Sequence, residues 1–70
     1  MLRLPINCEI IASAGYQSGD ELLELEFNDG KVYQYEGVSV EVYRRMMGNP
    51  EPGRFYREHI RHFFPYRRVR

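Results

Sequence analysis

Seventy residues weighing 8.4 kDa, 43% hydrophobic, with ten basic groups balancing ten acidic ones, allow one small domain with a thin core. A chain this short buries only about 60% of the surface it exposes when unfolded. The lone cysteine, Cys8, excludes an intramolecular disulfide, so stability falls on apolar packing and on six tyrosines and four phenylalanines.

Residues 1–7, with Pro5 and Asn7, read as an extended arm. The run CEIIASAGY, residues 8–16, is apolar, rich in small side chains and too short for a helix, so it is expected to form a first strand. Gly15 near its end marks a bulge or a close backbone approach. The QSGD segment is a turn. In the next stretch Leu23, Leu25 and Phe27 alternate with Leu22, Glu24 and Glu26, the period of two that a half-buried strand produces. Asn28-Asp29-Gly30 then reverses the chain, glycine supplying a positive φ. The third strand, residues 31–37, alternates again, with Tyr33 and Tyr35 on one face.

After that the period lengthens. Ser39 can cap a helix over VEVYRRMM, with Glu41 in its first turn and Val42, Tyr43, Met46 and Met47 as its apolar side; Gly48 ends it. A rigid loop with two prolines leads to a second helix, residues 54–63. Phe55, His59, Ile60 and Phe63 make its apolar side, and Arg54, Arg57 and Arg61 its polar one. Pro65 stops it. Tyr66 and a basic tail, residues 67–70, close the chain. The expected fold is α+β: a three-stranded antiparallel meander followed by two short helices packed on one face. It forms one domain over residues 1–70, with its core at about 8–66.

The charge balance hides an asymmetry. Residues 1–41 hold Arg3 and Lys31 against eight acidic side chains, a sum of −6, and residues 42–70 hold eight arginines against Glu51 and Glu58, a sum of +6. Charge split between halves points to a nucleic-acid surface, or to two halves that attract each other or a second copy. The strongest candidate is the arginine- and aromatic-rich segment with Arg54, Tyr56, Arg57, Arg61, Tyr66, Arg67 and Arg68. Guanidinium groups on one helix face can neutralise successive phosphates, and neighbouring tyrosines can stack on bases. The bland alternative is a solvated helix whose arginine stems cover the edge of the core.

Tyr33 and Tyr35, two apart on a strand, could likewise form a platform for two bases. A small domain's need for every large apolar side chain favours burying them under the helices instead. No catalytic or metal-binding constellation is legible. His59 and His62 stand three apart without a second ligand pair, and Cys8 is distant from both in sequence. No cofactor is expected. With no apolar run near the roughly 18 residues of a membrane span and no secretory pattern at Met1, the expectation is a cytoplasmic, non-enzymatic chain with no membrane partner.

The order Gly15-Tyr16, Leu23-Glu24-Leu25-Glu26-Phe27, Asp29-Gly30, Val32-Tyr33-Gln34-Tyr35, Gly37-Val38, Val42-Tyr43, Pro52-Gly53-Arg54-Phe55, His59-Ile60-Arg61 and Phe64-Pro65-Tyr66 resembles the KTSC domain. That family is named for its occurrence at the C-terminus of some lysyl-tRNA synthetases and also occurs as short stand-alone proteins of bacteria and phages. The resemblance makes Tyr33, Tyr35, His59, Ile60, Arg61, Pro65 and Tyr66 marker residues and brings no catalytic role. Its synthetase context implies RNA as a partner. Ser39 and Ala14 depart from the family's usual proline and larger aliphatic. The reading is therefore a small binding domain for RNA or another nucleic acid. The alternative is a protein-interaction module, a homodimer or an accessory or inhibitory factor, that uses the acidic and basic halves.

Overall fold

Alternation along the meander decides which side chains meet. In the computed structural model, which describes all of residues 1–70, strand β3 (Leu22–Phe27) lies between β2 (Ile11–Gln17) and β4 (Val32–Tyr35), each pairing antiparallel. Register sets Leu23 opposite Tyr35 and Tyr16, and Leu25 opposite Tyr33 and Ala14, so these side chains share one face. The β3–β4 reversal is closed by Gly30 at φ +90°, with Gly30 N–H donating to Phe27 O at 2.9 Å. In β2, two residues span Ile11 to Ser13 where the partner strand advances by one, a bulge that turns Ile11 inward and Ser13 outward.

The sheet has five strands, not three. The arm contributes β1 (Leu4–Pro5) opposite Ala14 and Ser13. The tail contributes β5 (Tyr66–Arg68), with Tyr66 opposite Tyr35 and Arg68 opposite Tyr33, giving the order β1-β2-β3-β4-β5. Segments of two and three residues carry no period of their own. They form because the edges of the meander offer unpaired N–H and C=O groups.

Two helices cover the inner face. Helix α1 (Val40–Met47) is capped by Ser39, whose Oγ accepts from Val42 N–H at 3.3 Å. Tyr43 stacks on Tyr16 with ring centroids 5.0 Å apart, and the Tyr16 hydroxyl donates to Val38 O. Helix α2 spans Pro52–His59 rather than residues 54–63, with proline opening its first turn. Its buried residues are Gly53, Tyr56 and, just past its end, Ile60; of the expected row of Phe55, His59, Ile60 and Phe63, Ile60 reaches the core and Phe55 packs partly buried against it, but His59 and Phe63 do not. Phe63 is exposed, and exposed His59 lies against Phe55 with ring centroids 4.7 Å apart. The glycine conceals the phase of this helix. A Cβ at Gly53 would stand 2.8 Å from Cys8 Sγ and 3.2 Å from Ile10 Cγ1, so the buried row runs through a position with no side chain to announce it. Ile11, Ala14, Leu23, Leu25, Tyr35, Val38, Met46, Tyr56 and Ile60 make the core. No helix is long and apolar enough to cross a membrane.

Gly15 is a close-approach glycine. A Cβ there would lie 2.5 Å from the Leu2 carbonyl oxygen, backbone that cannot move without lifting the arm. Gly15→Ala is accordingly expected to detach β1 at a cost of about 1–3 kcal/mol, seen as faster hydrogen exchange at Ile6 N–H, which donates to Ala12 O at 2.9 Å. Unchanged protection at Ile6 would refute this.

Candidate functional site

The outer face of the sheet is polar and bonded to itself. Arg3 Nε donates to Ser13 Oγ at 3.0 Å and Arg3 Nη1 pairs with Glu24; Ser13 Oγ donates to Glu26 at 2.8 Å, which also meets Arg70 Nη2 at 3.1 Å. Gln34 Nε2 donates to Glu24 at 2.9 Å, and its Oε1 accepts from Arg67 at 3.1 and 3.3 Å. Glu24 is 7% exposed. Burial pushes its carboxyl upward, but hydrogen bonds from Gln34 and Arg3, with the charges of Arg3 and the N-terminal ammonium, outweigh burial and hold it below the ordinary glutamate value. This ladder joins the acidic meander to the arm and the tail, so part of the charge asymmetry is neutralised within the fold.

The inner face behaves differently where the helices stop short of β5. Here a cleft of about 650 Å³ is floored by Phe27, Tyr33, Tyr35, Tyr56 and Tyr66. Tyr33 stacks on Tyr66 at 5.6 Å and 12°, and Tyr66 leans on Tyr35 at 5.6 Å. Edge contacts of Phe27 with Tyr33 at 5.6 Å and with Tyr56 at 5.4 Å close the set. Tyr35 and Tyr56 anchor it through a 2.6 Å bond between their hydroxyls. Burial, with the Tyr35–Tyr56 contact, raises the Tyr35 hydroxyl far above the ordinary tyrosine value, and burial also raises Tyr56, so both stay protonated donors and acceptors at neutral pH. Tyr66 is 59% exposed and Tyr33 half-buried. The floor thus has a fixed, buried end and an accessible end.

Charged side chains of both signs border the floor: Arg57, Arg61 and His62, from α2 and the turn after it, and Glu9, Asp29 and Lys31, with Ile10 and Asn28, from the β1–β2 and β3–β4 connections. Arg57 and Arg61 are exposed and make no ion pair or side-chain hydrogen bond within the chain. An unpaired guanidinium beside an aromatic surface can serve an anion or stack on a ring.

The residues singled out in the sequence separate here. Arg57, Arg61, Tyr56 and Tyr66 converge on the cleft. Arg54 does not: it lies between Glu51 at 3.7 Å and Glu58 at 3.4 Å. Arg67 faces away, on Gln34, and Arg68 Nε donates to Arg70 O at 3.1 Å. Tyr56 is 6% exposed and serves as floor, not as a free stacking ring. Of the marker residues, Tyr33, Tyr35, Arg61 and Tyr66 line the cleft. Ile60 is core, Pro65 O accepts from Glu36 N–H at 2.9 Å, and His59 stays outside. Sequence reasoning missed Phe27, His62 and Glu9 as cleft residues; the signal was the pairing of the tail with β4, which brings Tyr66 beside Tyr33. No three His, Cys, Asp or Glu side chains gather closely enough to hold a metal ion.

Comparison with known proteins yields consistent likenesses. Residues 8–64 match the KTSC domain. The crystal structure of a KTSC domain protein from Yersinia pestis superposes with a TM-score of 0.93 at 31% identity, covering 99% of this chain and 97% of that one. An uncharacterised protein of Stutzerimonas stutzeri is 31% identical over 58 residues, 83% of this chain and 82% of its own length. A protein of Tsukamurella paurometabola is 33% identical over 51 residues, 73% of this chain and 76% of its own.

Proposed function

The chain belongs to the KTSC domain family, and we propose that it is a non-enzymatic binding module that takes single-stranded nucleic acid, RNA foremost, into its aromatic cleft. The observation that carries this reading is the placement of two unpaired arginines, Arg57 and Arg61, beside the accessible ring of Tyr66. Phosphate attraction and base stacking are the two terms single-strand binders combine, and a stacked base contributes about 1–3 kcal/mol. The buried hydroxyl–hydroxyl bond of the floor joins tyrosine to tyrosine rather than a nucleophile to a base, which supports recognition over catalysis. A cytoplasmic site of action belongs to the same proposal. The protein-interaction alternative draws less support, because Arg70 of the basic half already pairs with Glu26 of the acidic half within the chain.

Fluorescence anisotropy with a labelled single-stranded RNA tests the reading. Affinity is expected to fall with salt at a log–log slope of about −1.4, two phosphates' worth. Tyr66→Ala should weaken binding by about 5- to 150-fold. Absence of binding at low salt, or binding indifferent to both salt and Tyr66, would sink the proposal.

A further inference from the structure

The sheet ends in two edges, and they are not alike. Bonding alternates along an antiparallel pair, so every second residue of an edge strand turns its N–H and C=O away from its neighbour. Glu36 N–H donates to Pro65 O at 2.9 Å and Val69 N–H to Val32 O at 2.8 Å. Pro65, Arg67 and Val69 therefore turn toward β4, and Tyr66 and Arg68 each present a donor and an acceptor on the free side of β5. At the other edge Ile6 N–H donates to Ala12 O at 2.9 Å, which by the same alternation turns Pro5 outward. Proline has no N–H to offer, so β1 is blunted. The β5 edge keeps its full set of backbone groups.

We propose that β5 is a docking edge for an extended acidic segment of a partner protein, which joins the sheet as a sixth strand. In this mode of recognition backbone pairing supplies the attachment and side chains select the partner. Here the selection falls to charge. Arg68 is exposed and meets no carboxylate; its Nε donates to Arg70 O at 3.1 Å. Arg67 bonds to the neutral amide of Gln34 at 3.1 and 3.3 Å, so its charge is uncompensated too. Successive side chains of a strand point to opposite faces, so an added strand meets one guanidinium on each face of the sheet. Exposed Tyr66 and Val69 offer apolar surface beside them. A second copy does not fit. Its β1 edge lacks a donor at Pro5. Its β5, laid antiparallel with Tyr66 opposite Arg68, sets Arg67 against Arg67, and like charges directly opposite each other repel. Positive charge thus turns away a strand like β5 itself and favours an acidic one.

Hydrogen exchange at the Tyr66 and Arg68 amides, followed by NMR, tests this with a short capped peptide that alternates glutamate and valine. Both amides are expected to exchange about fivefold more slowly once the peptide stands at about four times its dissociation constant, near the millimolar range of small transient interfaces. The same peptide with lysine for glutamate should bind about tenfold more weakly. Arg68→Glu, at an exposed position, should leave circular dichroism unchanged and narrow that gap to about threefold or less. Unslowed exchange at both amides with millimolar acidic peptide would overturn the inference, as would equal slowing by the acidic and basic peptides. Slowing by single-stranded RNA, with none by the acidic peptide, would give the edge to nucleic acid and overturn it as well.

Discussion

Tyr35→Ala is expected to cost about 3–5 kcal/mol, the range for truncating a buried aromatic. A chain of this length has a total stability of only about 4–10 kcal/mol, so urea denaturation should show the midpoint collapsing toward zero denaturant. Tyr35 is 1% exposed, packs edge-on to Tyr56 at 5.8 Å and shares its hydroxyl with that residue at 2.6 Å. The hydroxyl contribution separates cleanly from the packing one. Tyr56→Phe strips the Tyr35 hydroxyl of its partner and should cost about 1–3 kcal/mol, whereas the double variant with both residues as phenylalanine should recover much of that loss. Tyr56→Phe with wild-type stability would refute the pairing.

The same pair makes the fold sensitive to alkali. Both hydroxyls are raised above the ordinary tyrosine value, so the folded state binds their protons more tightly than the unfolded one. That stabilisation is complete below about pH 10, the unfolded value, and is lost as pH climbs above it, by up to about 1.4 kcal/mol per pH unit for each tyrosine. Tyrosinate absorbance from these two residues should accordingly appear with unfolding, not before it.

The central meander was legible because it states itself twice. Leu23, Leu25 and Phe27 alternate with Glu24 and Glu26, and Asn28-Asp29-Gly30 sets the reversal that fixes their register. The edge strands were not, because Leu4–Pro5 and Tyr66–Arg68 take their extended form from the neighbours they pair with. The phase of α2 was hidden by Gly53. Tyr33 and Tyr35 divide the two alternatives weighed for them. They share a face, but Tyr35 sits under α2 while Tyr33 is half-buried beside Tyr66. Alternation can name a face, not how far along it the covering helix reaches. Arginine spacing had the same blind spot. Arg54, Arg57 and Arg61 fit one helical side, yet Glu51 and Glu58 claim the first of them, and no helical period distinguishes a guanidinium that is occupied from one that is free.

That distinction yields the sharpest expected contrast. Arg57→Ala together with Arg61→Ala should weaken single-stranded RNA binding by about 100-fold, since each removes a charge-assisted contact of about 1.5 kcal/mol or more. The salt slope should flatten by about 1.4 as two phosphates lose their partners. Neither side chain bonds to anything within the chain, so circular dichroism and the urea midpoint should not move. Arg54→Ala together with Arg67→Ala removes the same charge from the same half of the sequence. It should change affinity less than about threefold at physiological salt, where interactions beyond about 8 Å are screened, because Arg54 is held by Glu51 and Glu58 and Arg67 lies on Gln34 across the sheet. Equal losses from the two pairs would mean that RNA follows net positive charge, and the cleft would lose its role. A loss confined to the first pair would locate binding at the meeting of Arg57, Arg61 and Tyr66, three residues that share a surface only because β5 pairs with β4.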